Sequence, residues 1–185
     1  DSIILVGHSW GTIIGLKAVD RRPDLFSAYV GVAQQVNARE NDRRGYHLAL
    51  NGARARGDAR VVKRLEAMGP PPYGVEGGSN YVYLFQKVHV YSPHPSPEPS
   101  VATMLFPREY NLINSINAVR GLINGVTNVY PQLKELDFER DLPRVAVPVY
   151  FFTGRYDETC VQQITWRYFE KLEAPEKEFV WFERS

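Results

Sequence analysis

Apolar positions fall into two rhythms along this chain. Ile3-Ile4-Leu5-Val6 is a continuous apolar run rich in β-branched residues, which reads as a parallel strand buried on both faces. Thr12 to Asp20 then has helical character, and the small residues Gly11 and Gly15 allow close approach to a sheet. Arg21-Arg22-Pro23-Asp24 ends that helix, with basic residues in its last turn and proline after the stop. Phe26 to Ala33 predicts a second strand, so the order strand, helix, strand points to a parallel α/β sheet. The same rhythm returns late in the chain. Val147 to Thr153 predicts a strand closed by Gly154. Val161 to Leu172 predicts a helix with Ile164, Tyr168, Phe169 and Leu172 on one face, and Lys177 to Phe182 a last strand.

The middle of the chain has a different pattern. Gln34-Gln35-Val36-Asn37 is polar and leaves the sheet. Arg39 to Arg56 carries Tyr46, Leu48, Ala49 and Ala53 at helical spacing, and Gly57-Asp58 breaks it, with Asp58 the expected N-cap of the next helix. Ala59 to Met68 is amphipathic, with Val61, Val62, Leu65 and Met68 on one side. The five basic residues from Arg54 to Arg64 read as a solvated face. Gly69-Pro70-Pro71-Pro72-Tyr73-Gly74 is a stiff connector, Gly77-Gly78 opens a further segment, Ser92 to Pro99 is a proline-rich loop, and Glu109 to Ile123 reads as helix. The expected organisation is therefore core at 1–35, a mainly helical cap or lid at 36–142, and core again at 143–185. An opening strand of this kind needs neighbours on both sides, so the chain reads as a piece of a longer protein.

Composition narrows the function. At 185 residues, with 44% apolar and 23% charged positions, the chain can form a core of ordinary globular kind. A net charge of +1 argues for neither nucleic acid nor membrane as partner, and no run is long and apolar enough to span a bilayer. No signal peptide is visible. The single cysteine, Cys160, excludes an internal disulfide, is compatible with a cytoplasmic setting, and reads as a small buried hydrophobe.

The chemistry sits between the first strand and the first helix. Gly7-His8-Ser9-Trp10-Gly11 is a G-x-S-x-G pattern in strand–turn–helix context. Such a turn needs its serine at the apex with strained backbone angles, and Gly7 and Gly11 beside it because side chains there would collide. The helix then aims free N–H groups at the place where negative charge develops in acyl transfer. Gly154-Arg155-Tyr156-Asp157 forms a turn at the C-terminal end of a later strand, the edge where functional side chains collect in open α/β sheets. Asp157 is therefore expected on the same rim as Ser9, as the acid that orients a histidine base; its alternative reading is a turn residue holding its own loop. Serine, then acid, then histidine is the expected order. Of the four histidines, His8 lies inside the turn, and His47, His89 and His94 precede Asp157. The base is expected immediately after Ser185, and these 185 residues alone are expected to have little hydrolase activity. His89 and His94, without cysteine or paired carboxylates, make a poor metal site, and the reading calls for no metal and no cofactor.

These stretches resemble the α/β-hydrolases of the proline iminopeptidase-like group, with a mainly parallel sheet flanked by helices and an inserted α-helical cap. The resemblance rests on Gly7 to Gly11, Tyr29-Val30-Gly31-Val32 with Gln34, Gly69 to Tyr73, Val147 to Asp157, Tyr168 to Pro175 and Trp181 to Ser185, and covers essentially the whole chain. It implies Ser9 as nucleophile, Asp157 as acid, the Trp10 backbone N–H as one oxyanion donor, and a small-molecule or peptide substrate. In iminopeptidases acidic lid residues hold the substrate's free α-amino group. Glu40, Asp42 and Glu76 are candidates here, each equally readable as a solvated carboxylate. Tyr73, Tyr81, Tyr83 and Phe85 could line a pocket or pack the lid. The expected activity is that of a serine aminopeptidase of proline iminopeptidase type. The alternatives are a carboxylesterase or lactonase on the same triad, and an inactive hydrolase-like protein. Epoxide hydrolases and haloalkane dehalogenases normally carry aspartate at the nucleophile position, so Ser9 argues against them.

Overall fold

The computed structural model describes residues 3–73, 77–94 and 111–185. Four strands are formed, β1 Ile3–His8, β2 Phe26–Val32, β3 Val149–Gly154 and β4 Lys177–Phe182. The helices are α1 Gly11–Arg21, α2 Ala38–Ala55, α3 Ala59–Met68, α4 Gly78–Tyr91, α5 Leu112–Leu133, α6 Phe138–Asp141 and α7 Gln162–Lys171, with a 3₁₀ turn at Pro23–Leu25. The chain divides into two compact units, Asp1–Asn41 with Glu135–Ser185, and Asp42–Lys134.

The first unit is built on a parallel sheet in the order β1-β2-β3-β4. Its strand ends are level: His8 pairs with Val32, Val32 with Phe152, and Gly154 with Phe182. The turns beyond these ends stay tied to the next strand. Ser9 N donates to Val32 O at 2.9 Å, Ala33 N to Phe152 O at 2.9 Å, and Arg155 N to Phe182 O at 3.0 Å. The core forms where α1 and α7 lie on the sheet. Leu16 and Val19 of α1, Tyr29 of β2, Val149 and Phe151 of β3, and Ile164, Tyr168 and Leu172 around α7 are all buried. Phe151 stacks on Tyr168 at 6.0 Å, and each large side chain withdrawn from water here contributes roughly 1.5–3 kcal/mol. Gly15 lets α1 approach, since a Cβ there would come within 2.9 Å of Tyr29 Cε2.

Several sequence expectations change. Within these residues β1 lies at the edge of the sheet and pairs only with β2 among the described residues, so Ile3, Ile4 and Val6 are 50%, 61% and 61% exposed here. β2 stops at Val32, since Ala33 turns into left-handed backbone at φ 52°. β3 starts at Val149 rather than Val147, because Pro148 has no N–H to give a ladder; its carbonyl accepts from Tyr29 N instead. Gly7 is sterically required, as a Cβ would sit 2.9 Å from both Gly11 O and Thr12 Cα. Gly11 is not, with nothing among the described residues within 4 Å.

The second unit is helical. α2 and α4 pack closely through glycines one heptad apart: a Cβ on Gly45 would meet Val88 Cγ2 at 2.9 Å and one on Gly52 would meet Tyr91 Cβ at 2.6 Å. Tyr46 OH donates to Leu65 O at 3.2 Å, joining α2 to α3. Asp58 occupies the N-cap position of α3 but does not cap it with its side chain; its Oδ2 accepts instead from Tyr91 OH. The basic run is exposed along its length, as a solvated face should be, and within it Arg54 pairs with Glu66 at 2.7 Å and Arg64 lies 3.7 Å over the Tyr83 ring. The helix expected over Glu109–Ile123 is observed as Leu112–Leu133, capped by Asn111 Oδ1 on Asn114 N and running ten residues further. Pro131 falls in its last turn, where only one backbone bond is lost. Glu109, Gly74 and the Pro95–Pro99 part of the expected loop lie outside the described residues.

The different standing of Gly7 and Gly11 is testable. Gly7→Ala is expected to destabilise by about 1–3 kcal/mol through collision with backbone that cannot move aside, and Gly11→Ala to change stability by under about 0.5 kcal/mol, measured by urea unfolding.

Candidate active site

Ser9 follows β1 directly, with its N–H still in the ladder and α1 beginning two residues on. Its backbone is left-handed, φ 50°, a conformation costing a non-glycine residue about 1–3 kcal/mol. Thr12 holds it there. Both Thr12 N (3.0 Å) and Thr12 Oγ1 (2.5 Å) donate to Ser9 O, and Thr12 is fully buried. Trp10 is the residue at the entrance to α1, where the first backbone N–H groups of a helix have no partner within it.

Asp157 stands in the turn after β3, at the same edge of the sheet as Ser9 with β2 between. Its Oδ1 accepts from Thr159 N at 2.9 Å and Cys160 N at 2.8 Å, so it does organise its own loop. This loop is held from outside by Asn41, whose Nδ2 donates to Thr159 O at 2.8 Å and whose Oδ1 accepts from Val161 N at 2.8 Å. Nothing in the sequence near Asn41 signals this, because the partners lie 118 and 120 residues away.

Cys160 joins the two turns. It is buried as expected, but not as a mere hydrophobe: its Sγ lies 3.9 Å from Ser9 Oγ and accepts from Gln35 Nε2 at 3.0 Å. Burial, with the Asp157 charge adding to it, pushes the thiol's pKa well up, so it stays protonated. His8 is exposed at the end of β1, and it is the one histidine in the sequence of this unit.

Of the acidic candidates, Glu40 is engaged by Arg167, which donates to it at 3.1 and 2.6 Å and to Glu139 at 2.8 and 2.6 Å. The Arg167 guanidinium holds the Glu139 carboxyl below the usual range, against the opposing effect of burial, with Lys171 helping. Asp42 accepts from Tyr130 OH at 3.0 Å, within the second unit. Glu76 lies outside the described residues. Tyr81 packs on Tyr130 at 4.3 Å, and Phe85 is edge-on to His89. Among the described residues no group of His, Cys, Asp and Glu could hold a metal ion, and no helix is long and apolar enough to cross a membrane.

Known proteins resemble this chain at two levels. No protein-family model matches it. The probable aminopeptidase YbaC of Bacillus subtilis (strain 168) is 27% identical over 187 residues, covering 99% of this chain and 58% of that protein. The chain thus spans somewhat over half the length of the curated relative it matches. Among solved structures, MGS-M2, an α/β-hydrolase enzyme from a Medee basin deep-sea metagenome library, superposes with a TM-score of 0.57 at 14% identity, over 99% of this chain and 57% of that one. A proline iminopeptidase-related protein from Thermus thermophilus gives 0.52 at 16% identity, over 97% and 56%. The fold is that of the α/β-hydrolases.

Two measurements check the supports of this site. Asn41→Ala, which strands one buried-loop donor and one acceptor, is expected to cost about 1–3 kcal/mol in urea unfolding. Because the folded pKa of Glu139 is depressed, its ion pair contributes stability at neutral pH that is lost as pH falls through the folded value. The stability gap between wild type and Arg167→Met should be full above about pH 5 and shrink below about pH 4, followed by thermal melts across pH.

Proposed function

We propose that this chain carries the nucleophile and acid of a serine hydrolase that works by acyl transfer, an aminopeptidase of proline iminopeptidase type. The observation that carries the reading is the left-handed Ser9 at the apex between β1 and α1. Non-glycine residues held in that conformation cluster at functional sites. Asp157 at the same sheet edge, and the 27% identity to a probable aminopeptidase, both support it.

In this mechanism Ser9 Oγ attacks the substrate carbonyl while a histidine supplied from outside these residues takes its proton. Asp157 orients that histidine and stabilises its charged form. The tetrahedral oxyanion is met by the Trp10 N–H, aimed by the N-terminus of α1. The histidine then returns the proton to the leaving amine. Water repeats the sequence on the acyl-enzyme, regenerating Ser9. Asp157 can serve both its loop and the histidine, since a carboxylate offers about four lone-pair sites and Oδ1 already meets two loop N–H groups.

The test uses the full-length protein with proline β-naphthylamide set against p-nitrophenyl esters. Faster turnover of the amide, lost by at least about 10⁴-fold in kcat on Ser9→Ala, is the expected result. Ester turnover without amide turnover would move the assignment to a carboxylesterase. Full activity in Ser9→Ala would overturn the nucleophile itself.

A further inference from the structure

Gln35, three residues past β2, reaches Ser9 by two routes. Its backbone N–H donates to Thr12 Oγ1 at 3.0 Å, and that hydroxyl donates to Ser9 O at 2.5 Å. Its side-chain Nε2 donates to Cys160 Sγ at 3.0 Å, and this sulfur lies 3.9 Å from Ser9 Oγ. Resting on the serine-hydrolase reading above, we propose that Gln35 is a positioning residue for the nucleophile, acting on its backbone through Thr12 and on its hydroxyl through Cys160.

The hydrogen-bond inventory gives the side-chain route a direction. A thiol has one weak donor and a weakly accepting sulfur. Either atom of the Cys160 Sγ–Ser9 Oγ contact can donate; with the Gln35 N–H already on the sulfur, the S–H is taken as the donor to Ser9 Oγ. An S–H there occupies one serine lone pair and turns the serine O–H to the other side, where a base must stand. The thiol is protonated, so the contact carries no charge; it selects a rotamer of Ser9 and leaves its acidity alone.

Gln35 is itself held rigidly. Its carbonyl accepts from Gln34 Nε2 at 2.7 Å. Gln34 Oε1 lies 2.8 Å from Tyr29 OH, whose proton it shares with Thr12 O at 3.1 Å. Gln34 O accepts from Thr165 Oγ1 at 2.9 Å. Gly31 makes room for this carboxamide, since a Cβ there would lie 2.5 Å from Gln34 Oε1. Tyr29, Gln34, Thr12 and Thr165 are all buried, so the support behind Gln35 is desolvated and its geometry fixed. These are the properties that hold a reacting group in one orientation.

The test is the rate at which a fluorophosphonate labels Ser9 in the full-length protein, which reads nucleophile reactivity without the substrate pocket, alongside kcat and KM. Gln35→Glu keeps the shape but replaces the donor with an acceptor that draws the S–H away from Ser9. It should slow labelling and kcat by about tenfold, the worth of one hydrogen bond carried into the barrier, with KM within about twofold. Cys160→Ala should lose a similar factor, and Cys160→Ser, which still accepts from Gln35 and donates to Ser9, should recover most of it. The double variant Gln35→Glu/Cys160→Ala should be no slower than either single, since both cut the same route. Melting temperatures confirm that each variant is folded, and the Cys160 pair keeps the test alive if Gln35→Glu is not. Labelling at the wild-type rate in the folded variants, or single losses that multiply in the double, would overturn this proposal while leaving Ser9 as nucleophile. No labelling of wild type, or labelling that survives Ser9→Ala, would overturn the serine-hydrolase reading and this proposal with it.

Discussion

Everything around the candidate site depends on one backbone constraint. Ser9 cannot leave the sheet gradually, because its N–H is still bonded to Val32 O while its carbonyl already belongs to the first turn of α1. One residue must reverse the chain between those two bonds, and the left-handed φ of 50° is how it does so. The strain is offset by groups that converge on Ser9: two donors from Thr12 on its carbonyl, a Gly7 that keeps the space under the turn empty, and a helix that starts at once. The reversal is also what lifts the hydroxyl out of the sheet.

The same device is repeated along the edge. Ala33 is left-handed too, with its N–H bonded to Phe152 O, and Arg155 N is bonded to Phe182 O. Each turn is thus stitched to the next strand before it departs, so the three turns share one rigid frame. Gln35 is delivered by the second of them and the Asp157–Cys160 loop by the third. A site assembled this way gets its precision from ladder hydrogen bonds rather than from loop packing, which suits a chemistry that tolerates little misplacement of reacting atoms.

The sequence alone specified the strands, the turn at Ser9 and the Asp157 turn, because each is a local matter. Apolar runs at Ile3–Val6 and Val149–Phe152, β-branched and aromatic composition, and glycines at fixed offsets from Ser9 act within a few residues of one another. The α/β-hydrolase fold was legible for the same reason. Less legible were features that need a partner from elsewhere. The neighbours of β1 are one such feature, because an apolar strand does not state what it pairs with. Asp58 stands where a cap is expected, but Tyr91, 33 residues away, takes its carboxylate. Gly11 belongs to the motif, yet it faces open space among the described residues.

The division has a physical basis. Local propensity and hydrophobic period are written residue by residue, so the chain itself determined its elements, their order, and Ser9 and Asp157 as the groups to examine. Hydrogen bonds between residues 118 to 151 positions apart leave no periodic trace, and only the packed sheet brings such groups within reach. Tertiary structure alone therefore decided that Asn41 clamps the Asp157 loop and that Arg167 occupies Glu40. It alone placed Cys160, one buried thiol with no local motif of its own, between Gln35 and Ser9.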